Sequence, residues 1–415
     1  MADQKQDGPA LAALVRGGDD QTEAVAITDY IFMARDISNA HLVTTDDGDV
    51  MVNTGFFDHC ERNLGLLAPH RTGPMRYIFL TQSHADHYGC VPAFSDEGTK
   101  VVGGPGFNEA LHDMMFLQPF FGPRSNKLWG STLRRGDKPR QPPTVTPDIL
   151  IDREQTFEVG SRIFTLIHAP EGETEDNVIV WMPKERVAFT GNLVGPVWNS
   201  MPFLQTIRGD KPRSVRAYLN SMQKLRALDA ELIVTGHGEP IRGAKTIRAD
   251  IDRMIGAVTW VRDYTLAGMN AGKTVHQLMR EVALPDDLTI GEFHGKVSWA
   301  VKTIWEEYAG WFHYEDGTTE LYGVPRSSID ADLVELAGGV DRLAERAQKK
   351  VEAGDPLEAI HLTDIVLGAQ PDNREALLAK KAALEHLLVQ SGQGNLSETM
   401  WLRSEIADAQ ARLGG

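Results

Sequence analysis

Short segments of alternating apolar and polar residues fill the chain between residues 24 and 245. In AHLVTTDDGDVMVNTG, an Asp-Asp-Gly turn separates two of them and predicts two strands joined by a tight turn. Further strand-like segments are RYIFLTQ, KVVGGP, QTFEVGSRIFTLIHAP, NVIVWMPKERVAFTG and AELIVTGHG. Segments with helical spacing lie between them near 108–116 and 211–228. The pattern therefore predicts a mixed α/β domain.

The pattern changes after residue 245, where apolar residues recur at helical spacing and strand-like segments nearly vanish. Small residues and leucines in 337–390 follow the spacing of helical hairpins, with Gly-Asp-Pro and Pro-Asp-Asn at helix boundaries. This resembles tetratricopeptide-like hairpins, without a demonstrated repeat period. We therefore expect four parts, namely an N-terminal extension over 1–23, an α/β domain over 24–245, a helical domain over 246–395 and a helical tail over 396–415.

Composition narrows the classes of partner. The formal net charge is −16, so phosphates of a nucleic acid would be repelled, and no concentrated basic face is visible. The beginning of the chain lacks an export signal, and no apolar run approaches the roughly 20 residues of a membrane span. We expect a cytoplasmic protein with a small-molecule partner. Cys60 and Cys90 form no Cys-x-x-Cys pattern and do not indicate a disulfide framework.

The first stretch that carries chemistry is SHADH, which follows the predicted strand YIFLTQ. Because a loop breaks the alternation of a strand, His84, Asp86 and His87 can turn toward one point. Two imidazoles and a carboxylate suit zinc, manganese or iron. A fortuitous loop is the alternative, and three further stretches weigh against it.

Each of those further stretches also follows a predicted strand. They are APEGETEDN with Glu173 and Glu175, AFTGN with Asn192, and IVTGHGEP with His237 between two glycines. An acidic loop is most often solvated, and a glycine-flanked histidine is by itself usually structural. In company with SHADH, both become ligand candidates.

The order SHADHYG, GET, FTGN and TGHG resembles the metallo-β-lactamase superfamily. Within it the chain resembles the alkylsulfatases, on GGPGFNEALHDMMFLQPFFGPRSNKLWG, FLQTIRGDKPRSVRAYLNSMQKL, TVHQLMREVALP and VSWAVKTIWEEYAGWF. These similarities extend from about residue 25 to 390. The resemblance implies an αββα sandwich with a metal centre at one edge, followed by an all-α dimerisation domain, and hence a homodimer. The family's C-terminal sterol-carrier-like domain is expected to be missing, since the chain stops near where it would begin.

The resemblance also distributes the candidate ligands over two metal positions. His84 and Glu173 fall at one position, where Glu173 matches the acidic ligand that alkylsulfatases place where other members have His. Asp86, His87 and His237 fall at the other position. The expected cofactor is Zn²⁺, with Mn²⁺ or Fe²⁺ as alternatives.

Two residues depart from the family pattern. Gln82 stands at the first His of the usual His-x-His-x-Asp-His, and Asn192 stands where the family has an acidic bridging residue. Amide oxygens bind such metals less tightly than imidazole or carboxylate, so both are weak ligand candidates. A relic site, a one-metal enzyme and a two-metal site with Gln82 as a weak ligand all remain open. We favour one strongly bound metal at Asp86, His87 and His237, with weaker or no occupancy beside His84.

The expected mechanism uses a metal that lowers the pKa of its water and supplies hydroxide. Asp86 and His87 are the predicted catalytic residues, and Asp86 would orient the water and could accept its proton. Arg208 matches an arginine that lies near the sulfate in alkylsulfatases, and a guanidinium suits a tetrahedral oxyanion.

Three residues of GPRSNKLWG, Arg124, Asn126 and Trp129, are further candidates for binding substrate. The alternative for all of them is an ordinary polar or interdomain contact. The segments MMFLQPFF and VWNSMPF could wall an apolar cleft, or belong to the core or dimer interface. The expected substrate is thus a small anion with an apolar tail.

The sequence leaves two classes of function. The first is a metal-dependent hydrolase, best interpreted as cleaving sulfate esters of an apolar alcohol, with an ester, lactone or β-lactam hydrolase as the alternative on the same scaffold. The second is a noncatalytic assembly protein. Its helical part would carry the function, and its metal site would be structural.

Overall fold

A computed structural model describes residues 10–133, 141–313 and 317–414. The described residues divide into two compact units. The sandwich unit comprises Ala10–Asn126 and Gly130–Glu307, and the helical unit comprises Lys127–Trp129 and the residues from Tyr308 onward. The four-part division expected from the sequence stays a prediction.

The sandwich unit contains two β-sheets, and the sequence pattern located most of their strands. The first sheet has seven strands in sequential order, with β4 to β7 parallel and the others antiparallel. Its strands are β1 Val25–Ala26, β2 Ile31–Ala34, β3 Ala40–Thr45, β4 Gly48–Val52, β5 Met75–Phe79, β6 Lys100–Gly103 and β7 Ile149–Leu150. The turn between β3 and β4 lies at the predicted Asp-Asp-Gly, where Gly48 has a φ of +96° that glycine adopts readily.

The second sheet has six strands in the order β13-β12-β11-β10-β9-β8. Its strands are β8 Glu154–Val159, β9 Arg162–His168, β10 Val178–Met182, β11 Val187–Gly191, β12 Leu232–Thr235 and β13 Ile241–Arg242. Only β11 and β12 pair in parallel among the described strands of this sheet. Their carboxyl ends therefore lie at the same edge.

The sandwich unit also contains helices, most of which pack on the outer faces of the two sheets. They are α1 Ala10–Val15, α2 Cys60–Leu67, α3 Ala85–Tyr88, α4 Val91–Phe94, α5 Phe107–Phe116, α6 Gln118–Trp129, α7 Val215–Ala227, α8 Ala244–Asn270, α9 Val275–Glu281 and α10 Val297–Ala309. Two 3-10 turns occupy Ala68–His70 and Asp286–Leu288. The last three residues of α6 belong to the helical unit, as do the last two of α10.

Three hydrophobic cores fix the order of the layers. One lies between the sheets and joins side chains such as Phe79 and Val102 to Phe164 and Val180. A second packs α2 and α5 on the outer face of the first sheet. A third packs α7, α8 and α10 on the outer face of the second sheet. The layers are helix, sheet, sheet and helix, so the predicted αββα sandwich is confirmed.

The helical unit contains α11 Asp330–Leu336, α12 Val340–Glu352, α13 Pro356–Ala369, α14 Arg374–Gln390 and α15 Leu396–Gly414, with 3-10 turns at Gly317–Leu321 and Arg326–Ile329. The turns around Gly354 and Asp372 separate α12, α13 and α14 where the sequence predicted helix boundaries. Ala344, Val366 and Ala376 form a small core between these three helices. The predicted helical region after the sandwich is therefore confirmed.

Cys60 and Cys90 form a disulfide, with their Cα atoms 5.1 Å apart. This pairing corrects the sequence-based expectation that the two cysteines do not indicate a bridge. The partners are 30 residues apart in the chain, and the fold brings the start of α2 against the turn that follows α3. Such proximity is a tertiary contact, which spacing alone does not encode.

No helix among the described residues is both long and apolar enough to cross a bilayer.

Candidate metal centre

The candidate ligands follow the ends of four strands at one edge of the sandwich. SHADH follows β5, Glu173 follows β9, Asn192 directly follows β11, and His237 follows β12. Parallel pairing aligns β4 with β5 and β11 with β12, so these ends share an edge. The strand-end argument made from the sequence thus leads to one site.

Asp86, His87 and His237 lie together at this edge. Their potential ligand atoms are all within 4.8 Å of one another. Asp86 Oδ2 is 3.8 Å from His87 Nε2, and the rings of His87 and His237 are nearly perpendicular, with centroids 6.1 Å apart. This is the arrangement expected of three donors around one cation.

The chemistry of these donors fits a divalent cation. Burial lowers the pKa of His87 to about 3, which keeps its imidazole neutral and free to bind a metal. Burial opposes ionisation of Asp86, but the neighbouring His87 and His237 hold its pKa below the ordinary value. Nδ1 of His237 is buried and has no hydrogen-bond partner among the described residues, and a cation would satisfy such an atom.

Two hydroxyl groups orient the His87 ring. Ser38 Oγ lies 3.2 and 3.1 Å from Nδ1 and Nε2 of His87, and it donates to the Gly236 carbonyl at 3.0 Å. Thr81 Oγ1 lies 3.4 Å from the same Nδ1. Ser38 was missed by the sequence reasoning because it lies in the loop before β3, with no metal-binding motif around it.

The other four candidate ligands form a closed ring of contacts, which we call the amide ring. Gln82 Nε2 lies 2.9 Å from His84 Nδ1, which is 3.5 Å from Glu173 Oε2. Asn192 Nδ2 donates to Glu173 Oε2 at 3.0 Å, and Asn192 N–H donates to Gln82 Oε1 at 3.1 Å. The two amides are thus engaged in hydrogen bonds with protein groups, at the place where the family resemblance predicts a second metal position.

Glu173 is the charged member of the amide ring. Burial opposes ionisation of its carboxyl, but hydrogen bonds from His294 and His84 hold its pKa well below the usual range. His294 Nε2 lies 3.4 Å from Glu173 Oε1, and burial lowers the pKa of that histidine. Arg213 adds a nearby positive charge and donates through Nε to the Glu173 carbonyl at 2.7 Å. His294 and Arg213 were not predicted, since neither stands in a recognisable motif.

Arg208 is the predicted substrate residue that lies nearest to the ring. Its Nη2 is 3.3 Å from His84 Nε2, and it lies 3.8 Å from Asp210. Its side chain is 23% exposed, so the guanidinium is accessible from solvent. A half-buried guanidinium beside the metal-ligand loop is suited to an oxyanion.

The other three substrate candidates lie on α6. Arg124 is exposed, with its guanidinium 4.3 Å from the Phe120 ring centroid, and Asn126 is exposed as well. Trp129 is half-buried and is the last residue of α6. None of the three lines the cavity beside the amide ring, and neither does Arg208. The substrate-binding roles of all four residues stay predictions.

A cavity of about 140 Å³ opens beside the amide ring. Its floor includes His84 and Glu173, and apolar side chains of α5 and α6 form one wall. The wall residues are Ala110, Met114, Leu117 and Phe121. The sequence prediction that MMFLQPFF could wall an apolar cleft is met by Met114, Leu117 and Phe121.

Comparison with known families identifies the fold. The family model of the metallo-β-lactamase superfamily matches residues 33–237, the segment that carries every candidate metal ligand. This segment of the chain therefore belongs to the metallo-β-lactamase superfamily. A second family model, described as alkyl sulfatase dimerisation, matches residues 274–404. This second segment is thus similar to the dimerisation region of alkyl sulfatases.

Relatives of known activity agree with this placement. The chain is 25% identical over 403 residues to a linear primary-alkylsulfatase of Pseudomonas sp. (strain ATCC 19151), covering 90% of this chain and 74% of that protein. It is 25% identical over 394 residues to the alkyl/aryl-sulfatase BDS1 of Saccharomyces cerevisiae, covering 87% of this chain and 60% of that one.

A solved structure supports the same fold. The sec-alkylsulfatase Pisa1 from Pseudomonas sp. superposes with a TM-score of 0.83 at 21% identity, covering 93% of this chain and 65% of Pisa1. The chain therefore spans about three fifths to three quarters of the length of these relatives.

Proposed function

We propose that this protein is a metal-dependent hydrolase that cleaves sulfate esters of an apolar alcohol. The observation that carries the proposal is the convergence of Asp86, His87 and His237 within 4.8 Å, with a cavity floored by His84 nearby. The three relatives described above, each named as a sulfatase, supply the ester class.

Zn²⁺ is the proposed cofactor, held by Asp86, His87 and His237, because two imidazoles and a carboxylate form a typical catalytic zinc set. When bound, the ion supplies an activated water at neutral pH and neutralises charge on the group under attack. Mn²⁺ and Fe²⁺ suit the same donors and remain alternatives.

The chain's own residues have separate tasks in this proposal. Asp86 helps to hold the metal and accepts a proton from the attacking water at its carboxylate. Arg208 binds oxygens of the sulfate through its guanidinium, which has several donors in one plane. The α5 and α6 wall, with Met114 and Leu117, takes the apolar part of the alcohol and excludes water from it.

Two alternative functions are also compatible with parts of the structure. The same donor set and scaffold can serve an ester, lactone or β-lactam hydrolase. A noncatalytic assembly protein with a structural metal would use the helical unit instead. The half-buried, solvent-accessible guanidinium of Arg208, 3.3 Å from His84 Nε2, favours a reaction on an anion over both alternatives.

A homodimer is proposed as the assembly, because residues 274–404 match a model described as a dimerisation region. The cytoplasmic location expected from the sequence stays a prediction. The Cys60–Cys90 disulfide weighs against it, since such bonds persist mainly in oxidising compartments.

Release of sulfate from a medium-chain alkyl sulfate tests the proposal. We expect turnover that a chelator abolishes and that added Zn²⁺ or Mn²⁺ restores. A lactone and a β-lactam should be assayed in parallel. A metal-loaded protein inert toward all three substrates would contradict hydrolysis and favour the assembly function.

A further inference from the structure

Three of the segments that line the cavity beside the amide ring reach its mouth. They are helix α5, the Glu173 loop over residues 169–177, and the Arg208 loop over residues 205–213. Exposure rises from floor to rim: the side chains of His84 and Glu173 are 7% and 10% exposed, whereas Asp113 and Glu175 are 49% and 44% exposed. Asp113 and Glu175 therefore stand at the mouth of the cavity.

Lys211 connects all three segments at that mouth. Its Nζ lies 3.2 Å from Asp113 Oδ2 on α5 and 3.1 Å from Glu175 Oε1 on the Glu173 loop. Lys211 itself belongs to the Arg208 loop, and all three residues line the cavity. One ammonium group thus holds two carboxylates from opposite walls, an arrangement we call the Lys211 bridge.

We propose that the Lys211 bridge determines which substrates enter the cleft. This inference rests on the proposed function, because it concerns access to the same site. While the bridge is closed, α5 and the Glu173 loop stay near each other, so an unbranched chain passes between them more easily than a bulky one. Lys211 is a specificity-determining residue in this proposal, since its ion pairs are with Asp113 and Glu175 at the rim. Neither carboxylate belongs to the Asp86, His87 and His237 group or to the amide ring.

The strength of the bridge sets the size of the effect. Its members are exposed, and exposed ion pairs are weak individually. A single cation shared by two carboxylates forms a small network, which salt screens. Loss of the bridge should therefore change discrimination between substrates by about three- to tenfold, without loss of the reaction itself.

The test compares hexyl sulfate with cyclohexylmethyl sulfate in the metal-loaded protein. In Lys211→Met, kcat/KM for the bulky ester relative to the linear one should rise by about three- to tenfold. Lys211→Arg should keep the wild-type ratio, because it retains the charge. High ionic strength should raise the wild-type ratio and leave that of Lys211→Met unchanged.

Lys100 supplies the matched control. It is an exposed lysine of the same unit, paired with Asp148 at 3.3 Å, and it does not line the cavity. Lys100→Met should keep the wild-type ratio. An equal ratio in Lys211→Met and wild type would overturn the proposal.

A second measurement does not depend on hydrolysis. Backbone amides of α5 and of the Glu173 loop should exchange hydrogen faster in Lys211→Met than in wild type or Lys100→Met. If the wild type releases no sulfate from either ester, the proposed function fails. Hydrogen exchange then still tests whether the Lys211 bridge holds α5 and the Glu173 loop together. Faster exchange would then support the bridge, and unchanged exchange would overturn it.

Discussion

The backbone N–H of Asn192 donates a hydrogen bond to Oε1 of Gln82, 3.1 Å away, although the two residues are 110 positions apart in the chain. Gln82 and Asn192 are the two amide residues that depart from the metal-ligand pattern of the family. Their contact, together with those of His84 and Glu173, closes the amide ring at the predicted second metal position. The departures are therefore structurally coupled, which is unlike the scattered loss of ligands expected of a decaying site.

Replacing both amides should restore a second metal. In the double variant Gln82→His and Asn192→Asp, the new imidazole and carboxylate are stronger ligands for such cations. The new carboxylate would also lie beside Glu173, whose Oε2 now accepts from Asn192 Nδ2 at 3.0 Å, so a cation is needed to offset the repulsion. We expect elemental analysis to find about one more tightly held ion per chain than in wild type.

The single variants Gln82→His and Asn192→Asp are the controls for the double variant. One new strong ligand should raise the metal content less than two new ligands do. An unchanged metal content in the double variant would mean that Gln82 and Asn192 do not govern the second position.

Loss of a proposed ligand at the first position should remove both metal and activity. Asp86→Ala and His237→Ala each delete one of the three converging donors. Removing a ligand typically leaves too few donors for a catalytic zinc site, so turnover should fall by at least about 100-fold. Metal content and sulfate release are measured on the same preparations.

His112→Ala serves as the control for these variants, because that side chain is 72% exposed on α5. It should keep both metal and activity. Full turnover in either ligand variant would refute the metal assignment.

Arg208 should matter for the anionic part of the substrate. In Arg208→Ala, kcat/KM for an alkyl sulfate is expected to fall by about 100-fold, the loss typical of one charge-stabilising donor in a site. Arg208→Lys should retain only part of the wild-type kcat/KM, because an ammonium lacks the planar set of donors of a guanidinium. Metal content should stay at the wild-type value in both. Equal activity of wild type and Arg208→Ala would show that this guanidinium does not bind the sulfate.

The Cys60–Cys90 disulfide should stabilise the sandwich unit. A bridge that closes a loop of 30 residues contributes about 3 to 4 kcal/mol in the chain-entropy treatment. Denaturant unfolding of wild type, with and without a dithiol reductant, measures this contribution, and the double Cys→Ser variant should match the reduced protein. Detection of two free thiols in the native, unreduced protein would contradict the pairing.

His41 predicts a dependence of stability on pH. It is buried between β3 and the second sheet, and burial lowers its pKa to about 4, against about 6.5 in the unfolded chain. Between these values the unfolded state binds more protons. The contribution is therefore fully present above pH 6.5 and is lost as the pH falls toward 4.

In His41→Phe, the slope of unfolding free energy against pH in this window should decrease by about 1 kcal/mol per pH unit. His87 adds a similar slope, since burial lowers its pKa also, so some dependence remains. The exposed His112→Phe should leave the slope unchanged. An identical slope in wild type and His41→Phe would exclude His41 as the source.

Much of the sandwich follows from local pattern. Segments of alternating apolar and polar residues located strands β3 to β6 and β8 to β12. Side chains of a strand point to opposite faces in turn, so a two-residue period indicates a strand with one face in the core. The helix α6 was not predicted, since Gly122 and Pro123 stand within it and normally indicate a break. Its formation depends on surrounding tertiary packing, which local propensity does not contain.

The site divides in the same way. Asp86, His87 and His237 could be predicted because each follows a strand and stands in a recognisable motif. His294 contacts Glu173 from a loop before α10, and Arg213 from the segment before α7. Those contacts depend on how distant segments pack, and the same is true of the Cys60–Cys90 pair. Sequence reasoning therefore reached the candidate ligands and missed the side chains that contact them.

The count of tightly bound metal ions per chain tests the central claim most directly. Purified protein is loaded with Zn²⁺, dialysed against a weak chelator and analysed for metal and protein on the same sample. The amide ring formed by Gln82 and Asn192 predicts about one retained ion, held at Asp86, His87 and His237. Two tightly retained ions per chain would contradict the account.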